Sequence, residues 1–364
     1  MNNLCTVIVV TRHRPAFVAR LLDHMVLSGL SSPVIIGDGS DIHRAHETRS
    51  VTEGRQWPFS LEYRHYGPDT ALWQRVGLIA DTVPSLYLAW VADDDFLIPE
   101  ALGEAVEMLE STPDLAGVFG FDGCFNVVGN TVRGTLGNCW FGEGPCRDEV
   151  DAALRTLNHF RSYYPCAYTI RRTALVRRNT ALFRAAGWND DYTNNLCEVA
   201  DGVLSAATGR LTVLPRALYF RQQHEASESR ALRVQWSPFD MLTTPRWSDA
   251  IKDLENWLAE RLGESGEGDP ELRRRAVRTG LWSYFSEYLS SEIGTEVALV
   301  EQLLTGGRED STLEGGLLSR LKRNDVLRRL VSSWRVYKGT RRMNDGDRRA
   351  FQHVRAVVEN TQSR

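Results

Sequence analysis

Three short apolar runs, Thr6 to Val10, Val34 to Ile36 and Leu86 to Ala92, each end in a polar turn and are separated by segments with helical spacing. Runs of this kind read as strands buried on both faces. Helical patterns occupy Ala16 to Leu27 and Thr70 to Thr82, with a further strand at Ser60 to Tyr66. Strands alternating with helices build parallel βαβ units, and their right-handed crossovers gather the turns that follow strands on one rim. Open α/β sheets bind ligands at that rim. The sequence therefore predicts an α/β fold with a doubly wound, mostly parallel sheet.

Further along, helices are expected from Glu100 to Glu110, from Asp151 to Asn158, from Arg172 to Arg184 and within Asp190 to Gly209. Strands are expected at Ala116 to Phe121, Ala167 to Ile170 and Leu211 to Phe220, with irregular structure up to Cys146. Composition shifts after Ser229. The segment Leu254 to Leu262 is amphipathic, and helix resumes at Pro270 after a glycine-rich break. Residues 1–234 are read as the sheet domain and 235–364 as an α-helical C-terminal region. Within the latter, Leu317 to Arg342 combines leucines and Trp334 with many arginines and lysines. Such a helix either lies on an anionic membrane surface or packs on its own protein with a solvated basic face.

With 364 residues, 42% of them hydrophobic, the chain can bury a sizeable core. A formal charge of −4 gives no bulk electrostatic footprint for nucleic acid, so no nucleic-acid partner is expected. The six cysteines show no CxxC pair, which favours buried, reduced thiols in a cytoplasmic protein. Cys5 to Val10 is too short for a signal peptide and runs into Arg12 and Arg14. No run reaches the roughly 20 apolar residues of a spanning helix. A cytoplasmic location, with peripheral membrane contact through the basic C-terminal segment, is the expectation.

The most reactive-looking feature follows the Leu86 to Ala92 run: Asp93, Asp94 and Asp95, then Phe96-Leu97-Ile98-Pro99. Clustered carboxylates repel one another, and a hard divalent cation with its preference for oxygen ligands would relieve that. The alternative is a solvated turn in which aspartate caps the helix starting near Pro99.

Thr11-Arg12 after the first strand, Asp38 after the second and the string WVADDDFLIPEAL together resemble the nucleotide-sugar half of a family 2 glycosyltransferase of GT-A fold. The resemblance spans residues 4 to 228. It implies that Thr11 and Arg12 border the nucleotide base and that Asp38 accepts hydrogen bonds from uracil or ribose. The family's D-x-D-D pattern begins here at Ala92. That register implies that Asp93 faces the ribose and that Asp94 or Asp95 holds Mg²⁺ or Mn²⁺ against the donor phosphates.

An inverting transferase also needs a base for the acceptor hydroxyl. The family's E-D pair is absent as such. Glu198 stands eleven positions before Gly209, as the family base does, and Asp201 shares its helical face as the second candidate. Both could instead be acids complementing a helix dipole. The stretch YFRQQHEASES resembles the family's return strand, which implies Arg221 on a phosphate and His224 on the metal or a phosphate. Trp188 to Asp191 offers either an acceptor contact or a core tryptophan.

The implied activity is metal-dependent, inverting transfer of a hexosyl or N-acetylhexosaminyl unit, with a UDP-linked donor and a glycan, lipid-linked or protein acceptor. Rival readings are a non-catalytic nucleotide- or sugar-binding subunit and a sugar-nucleotide pyrophosphorylase, which would need a Gly-rich phosphate loop that TRHRPAF does not offer. A phospho-acceptor receiver domain would need carboxylates where Thr11 and Arg12 stand.

Overall fold

The computed structural model describes residues 4–128, 131–133, 146–190, 193–223, 244–264, 269–304 and 345–361. In chain order the elements begin β1 (Cys5–Thr11), α1 (Pro15–Leu27), β2 (Val34–Asp38), α2 (Ile42–Glu53), β3 (Leu61–His65), α3 (Leu72–Ala80), β4 (Tyr87–Ala92), β5 (Asp95–Leu97) and α4 (Pro99–Ser111). They continue with β6 (Leu115–Val128), β7 (Thr131–Arg133), α5 (Ala152–Arg161), β8 (Ile170–Arg172), α6 (Thr173–Ala185), α7 (Asn194–Thr208) and β9 (Arg210–Gln223). Three long helices follow: α8 (Pro245–Glu264), α9 (Pro270–Leu304) and α10 (Asp345–Thr361).

The strands lie side by side as β3, β2, β1, β4, β8, β6, β9, β5, with β7 paired on β6. β1, β2, β3 and β4 are mutually parallel, β6 and β9 are parallel to each other, and β5, β7 and β8 run antiparallel to their neighbours. The fold is thus the α/β class with a doubly wound, mostly parallel sheet and C-terminal helices. β1 shows why the apolar runs are continuous. Val7 and Val9 enter the core on one face of the sheet, while Ile8 and Val10 enter the core on the other.

Helix ends follow local chemistry. Pro15 and Pro99 open α1 and α4 with a ring that pre-sets φ and lacks an N–H the first turn could not use. Asp41 and Asp151 cap α2 and α5 by accepting from the amides of Arg44 (3.0 Å) and Leu154 (2.7 Å). After α1 the chain reverses at Gly29, whose φ of 74° suits a residue without Cβ.

The C-terminal helices are built into the cores of the sheet domain. Trp247, Leu254, Val277 and Phe285 share one core with Ile8, Trp73 and Leu204, and Val354, Val357 and Val358 share the other with Val7 and Leu21. The basic segment Leu317 to Arg342 lies outside the described residues. Among the described residues no helix is long and apolar enough to cross a membrane.

Three expectations are corrected. α2 forms where no helix was expected, because IHRAHETRSVTE lacks an apolar stripe and packs through Ala45, Thr48 and Thr52. Residues Cys166–Tyr168 make a 3-10 turn, so the strand begins only at Ile170. Of the described cysteines, Cys5, Cys166 and Cys197 are free and buried as expected, whereas Cys146 is free and exposed.

Candidate active site

Parallel pairing puts Thr11 at the carboxyl end of β1 directly beside Asp38 at the end of β2, and Val10 beside Ala92 of β4. The three turns singled out in the sequence therefore meet on one rim. Thr11 Oγ1 donates to Asp93 Oδ2 at 2.6 Å, and the fully buried Asp93 sits beneath the rim. The connection from β1 to α1 bends at His13, whose φ is 60° and whose amide donates to Ser40 Oγ at 2.7 Å.

Arg14 follows that bend. Its guanidinium spans two carboxylates, with Nη1 2.9 Å from Asp94 Oδ2 and Nη2 3.2 Å from Asp93 Oδ1. Asp95 pairs in register with Arg221, whose Nε stands 3.7 Å from Asp95 Oδ2 and whose guanidinium stacks 4.0 Å from the Tyr168 ring. Burial, and then the charge of Asp94, hold the Asp95 carboxyl well above the usual carboxylate range, while Arg221 and Tyr168 oppose the shift. A further acid, Asp122 of β6, completes this group. Its carboxylate accepts from the Tyr164 hydroxyl and lies 3.8 Å from Arg221 Nη1, and burial pushes it up to about 6. On α1 the buried Arg20 is lowered to about 10 by desolvation, against the opposing pull of Asp94, Asp93 and Asp95. Four carboxylates are thus interleaved with three guanidinium groups.

Asp38 is fully buried. Its Oδ1 accepts from the Ser40 amide at 2.8 Å and its Oδ2 from the Tyr63 hydroxyl at 2.8 Å. The Ser40 hydroxyl also donates to Oδ1, which then holds two donors, so only Oδ2 has capacity for a further one. Gly39 beside it has a structural reason, since a Cβ there would stand 1.9 Å from Arg75 Nη1. That arginine, fully buried, donates to the Thr11 carbonyl at 2.8 Å and ties the first two turns together. Arg12 is half-buried and donates to the Pro68 carbonyl at 3.1 Å.

The two base candidates separate by environment. Glu198 is half-buried on α7. Asp201 is fully buried: Arg171, 2% exposed at its side chain, donates to Oδ2, and Asn179 Nδ2 donates to Oδ1 at 3.0 Å. Asp201 is thus held in a buried ion pair, and Glu198 is the more accessible of the two candidates. Trp188 is likewise a core residue, 4% exposed and packed on Phe183 and Trp257. His224 and Asp191 lie outside the described residues.

Asp94 and Asp95 supply oxygen donors of the type hard cations prefer, and Arg14 and Arg221 lie against them. Among the described residues no group of three or more His, Cys, Asp or Glu side chains is arranged to hold a metal ion. Elsewhere, a cavity of about 580 Å³ lies at the amino ends of β6 and β9, lined in part by Arg155, Arg172, Arg178 and Arg210. It stands on the rim opposite the carboxylates.

Arg14, Arg20 and Asp122 were missed in the sequence. Arg14 carried a signal in its position three residues after Thr11; Arg20 and Asp122 carried none, since neither stands in a motif.

No protein-family model matches the chain, and no curated protein matches it. Among solved structures it is similar to TarS of S. aureus. The complex of TarS residues 1–349 with UDP-GlcNAc is 14% identical, with a TM-score of 0.44 over 71% of this chain and 72% of that one. A further crystal structure of TarS 1–349 is also 14% identical, with a TM-score of 0.44 over 79% and 91% of the two chains. The likeness is loose at this identity and score.

Proposed function

We propose that the chain is a glycosyltransferase that moves a sugar from a nucleotide-sugar, UDP-linked, onto an acceptor hydroxyl of a glycan, lipid-linked or protein acceptor. The observation that carries the reading is the meeting of Thr11, Asp38 and the Asp93 to Asp95 cluster on the carboxyl rim of a doubly wound sheet, the place where such sheets bind ligands. The resemblance of the same residues to the family 2 pattern adds the chemical class.

In this reading Asp38 accepts from the base or ribose, with Thr11 and Arg12 bordering it, and Asp93 lies on the ribose side. Arg14 and Arg221, whose guanidinium groups already lie against the carboxylates, turn toward the donor phosphates, for which their planar fork is suited. Mg²⁺ or Mn²⁺ bound by Asp94 and Asp95 would neutralise charge on the departing diphosphate. Glu198 takes the acceptor proton as the acceptor oxygen attacks the anomeric carbon. The new C–O bond forms as the bond to the diphosphate oxygen breaks, and the nucleoside diphosphate leaves with the electron pair. Attack opposite the leaving group inverts the anomeric centre.

The test is release of UDP from UDP-glucose, UDP-galactose and UDP-N-acetylglucosamine by the full chain, with Mn²⁺, and its comparison with Glu198→Gln. Release by the natural chain and its loss in Glu198→Gln, with UDP affinity retained, is the expected result. No release from any of the three by a protein that binds UDP would contradict a transferase and favour a binding role.

A further inference from the structure

Three guanidinium groups approach the acidic cluster, and they differ in how they are held. Arg221 extends from the paired strand β9 and stacks on Tyr168. Its nitrogens stand 3.7 Å from Asp95 and 3.8 Å from Asp122, both beyond hydrogen-bond range. Arg20 projects from the middle of α1, is 6% exposed and donates to Gln222 Oε1 of β9. Arg14 bonds the cluster directly. Its Nη1 donates to Asp94 Oδ2 at 2.9 Å, and its Nη2 lies 3.2 Å from Asp93 Oδ1.

Arg14 also stands on a turn rather than inside an element. It precedes Pro15, the first residue of α1, and follows His13, whose φ of 60° lies in the left-handed region that residues with a Cβ seldom adopt. The bend is held by the His13 amide, which donates to Ser40 Oγ, and the Ser40 hydroxyl in turn donates to Asp38 Oδ1. The Arg14 guanidinium carbon stands 5.5 Å from the centroid of the Phe17 ring, a second favourable neighbour for a cation. The Arg14 side chain is 18% exposed, against 11% for Asp94 and 0% for Asp93, so the arginine is the outermost of the three.

We propose that Arg14 is the built-in cation of the acidic cluster, a latch that a divalent metal must displace from Asp94 before it binds. The inference rests on the proposed reading that Asp94 and Asp95 receive Mg²⁺ or Mn²⁺. Two cations at one carboxylate repel each other, so metal affinity is lowered by whatever the ion pair is worth. The arrangement also accounts for acids gathered at low exposure. The arginine supplies their compensating charge, and among the described residues no three such side chains are arranged to hold an ion. Once displaced, the guanidinium is released toward the donor phosphates.

The experiment measures binding of Mn²⁺ alone, without nucleotide, to the full chain, from the loss of the free-ion EPR signal. The natural chain is compared with Arg14→Gln, Arg14→Lys and a double variant that joins Arg14→Gln to Asp94→Ala. Removing one charge-assisted contact to a carboxylate should tighten Mn²⁺ binding about ten- to a hundredfold in Arg14→Gln. Arg14→Lys, a point charge without the planar fork, should fall between the two. The double variant should lose the gain. A residue that merely supports the fold predicts the opposite sign, since its loss loosens the site and weakens Mn²⁺ binding. Folded Arg14→Gln that binds Mn²⁺ no tighter than the natural chain would overturn the proposal, as would a gain that survives in the double variant. If Arg14→Gln does not fold, the same comparison with Arg14→Lys decides. UDP release from UDP-sugars, run in parallel, separates the latch from the transfer. No release by a chain whose Mn²⁺ affinities follow the predicted order removes the transferase and leaves the latch. Metal-stimulated release with unchanged Mn²⁺ affinity in Arg14→Gln removes the latch alone.

Discussion

Thr11 Oγ1 donates to Asp93 Oδ2 at 2.6 Å across 82 positions of sequence, joining the end of β1 to the acidic turn after β4. With the Arg14 ion pairs, this bond holds the turn after β1 against the carboxylate cluster. Because Asp93 is fully buried, its charge depends on such donors. Thr11→Val keeps the shape and removes the hydroxyl. It should cost about 1.5–3 kcal/mol, the usual worth of a hydrogen bond to a charged group, read as a lower urea midpoint at unchanged slope. A midpoint equal to that of the natural chain would mean that Asp93 is held without Thr11.

The Arg171–Asp201 pair gives a second prediction. Removing one member of a buried pair strands the other, so Asp201→Ala should lose about 3–5 kcal/mol. A double replacement, Arg171→Met with Asp201→Leu, should recover most of the loss. Full stability in Asp201→Ala would reopen Asp201 to a role in catalysis.

A third concerns pH. Asp122 titrates at about 6 in the folded chain, against 3.8 for an ordinary aspartate. Between those values the unfolded chain has given up the proton and the folded chain still holds it, so unfolding becomes easier as pH rises. Asp122 should withdraw about 3 kcal/mol of stability from pH 4 to pH 6, levelling off above. The buried Asp95 shifts in the same direction. Denaturation midpoints in this window should show a shallower fall in Asp122→Asn. An equal fall would place the titration elsewhere.

Gly39→Ala tests the turn beside Asp38. The added Cβ would stand 1.9 Å from Arg75 Nη1, so Arg75 must move from the Thr11 carbonyl. A loss of about 1–3 kcal/mol in stability is expected from the overpacking, accompanied by weaker UDP binding. Unchanged UDP affinity would separate the turn from the donor site.

The strands, the rim and the acidic cluster were legible in the sequence because β1, β2 and β4 are buried on both faces and write themselves as apolar runs. α2 was not, since its polar surface carries no stripe to count. The partners of the carboxylates were hidden for another reason. Arg14, Arg20, Asp122 and Arg221 come from different elements, and only the pairing of β5 with β9 and of β6 with β9 brings the last two to Asp95. Likewise, two acids three residues apart on α7 look equivalent in sequence. Arg171, thirty positions before Asp201, pairs with that one alone and sets their environments apart.

The central claim is that the carboxyl rim binds a nucleoside diphosphate through Asp38 and the acidic cluster. Calorimetric titration of UDP into the full chain, with and without Mn²⁺, tests it most directly when repeated on Asp38→Ala and Asp94→Ala. The account predicts binding that strengthens with Mn²⁺, weakens in Asp38→Ala and loses its metal dependence in Asp94→Ala. UDP binding that is absent from the natural chain, or that is identical in all three proteins with and without Mn²⁺, would contradict it.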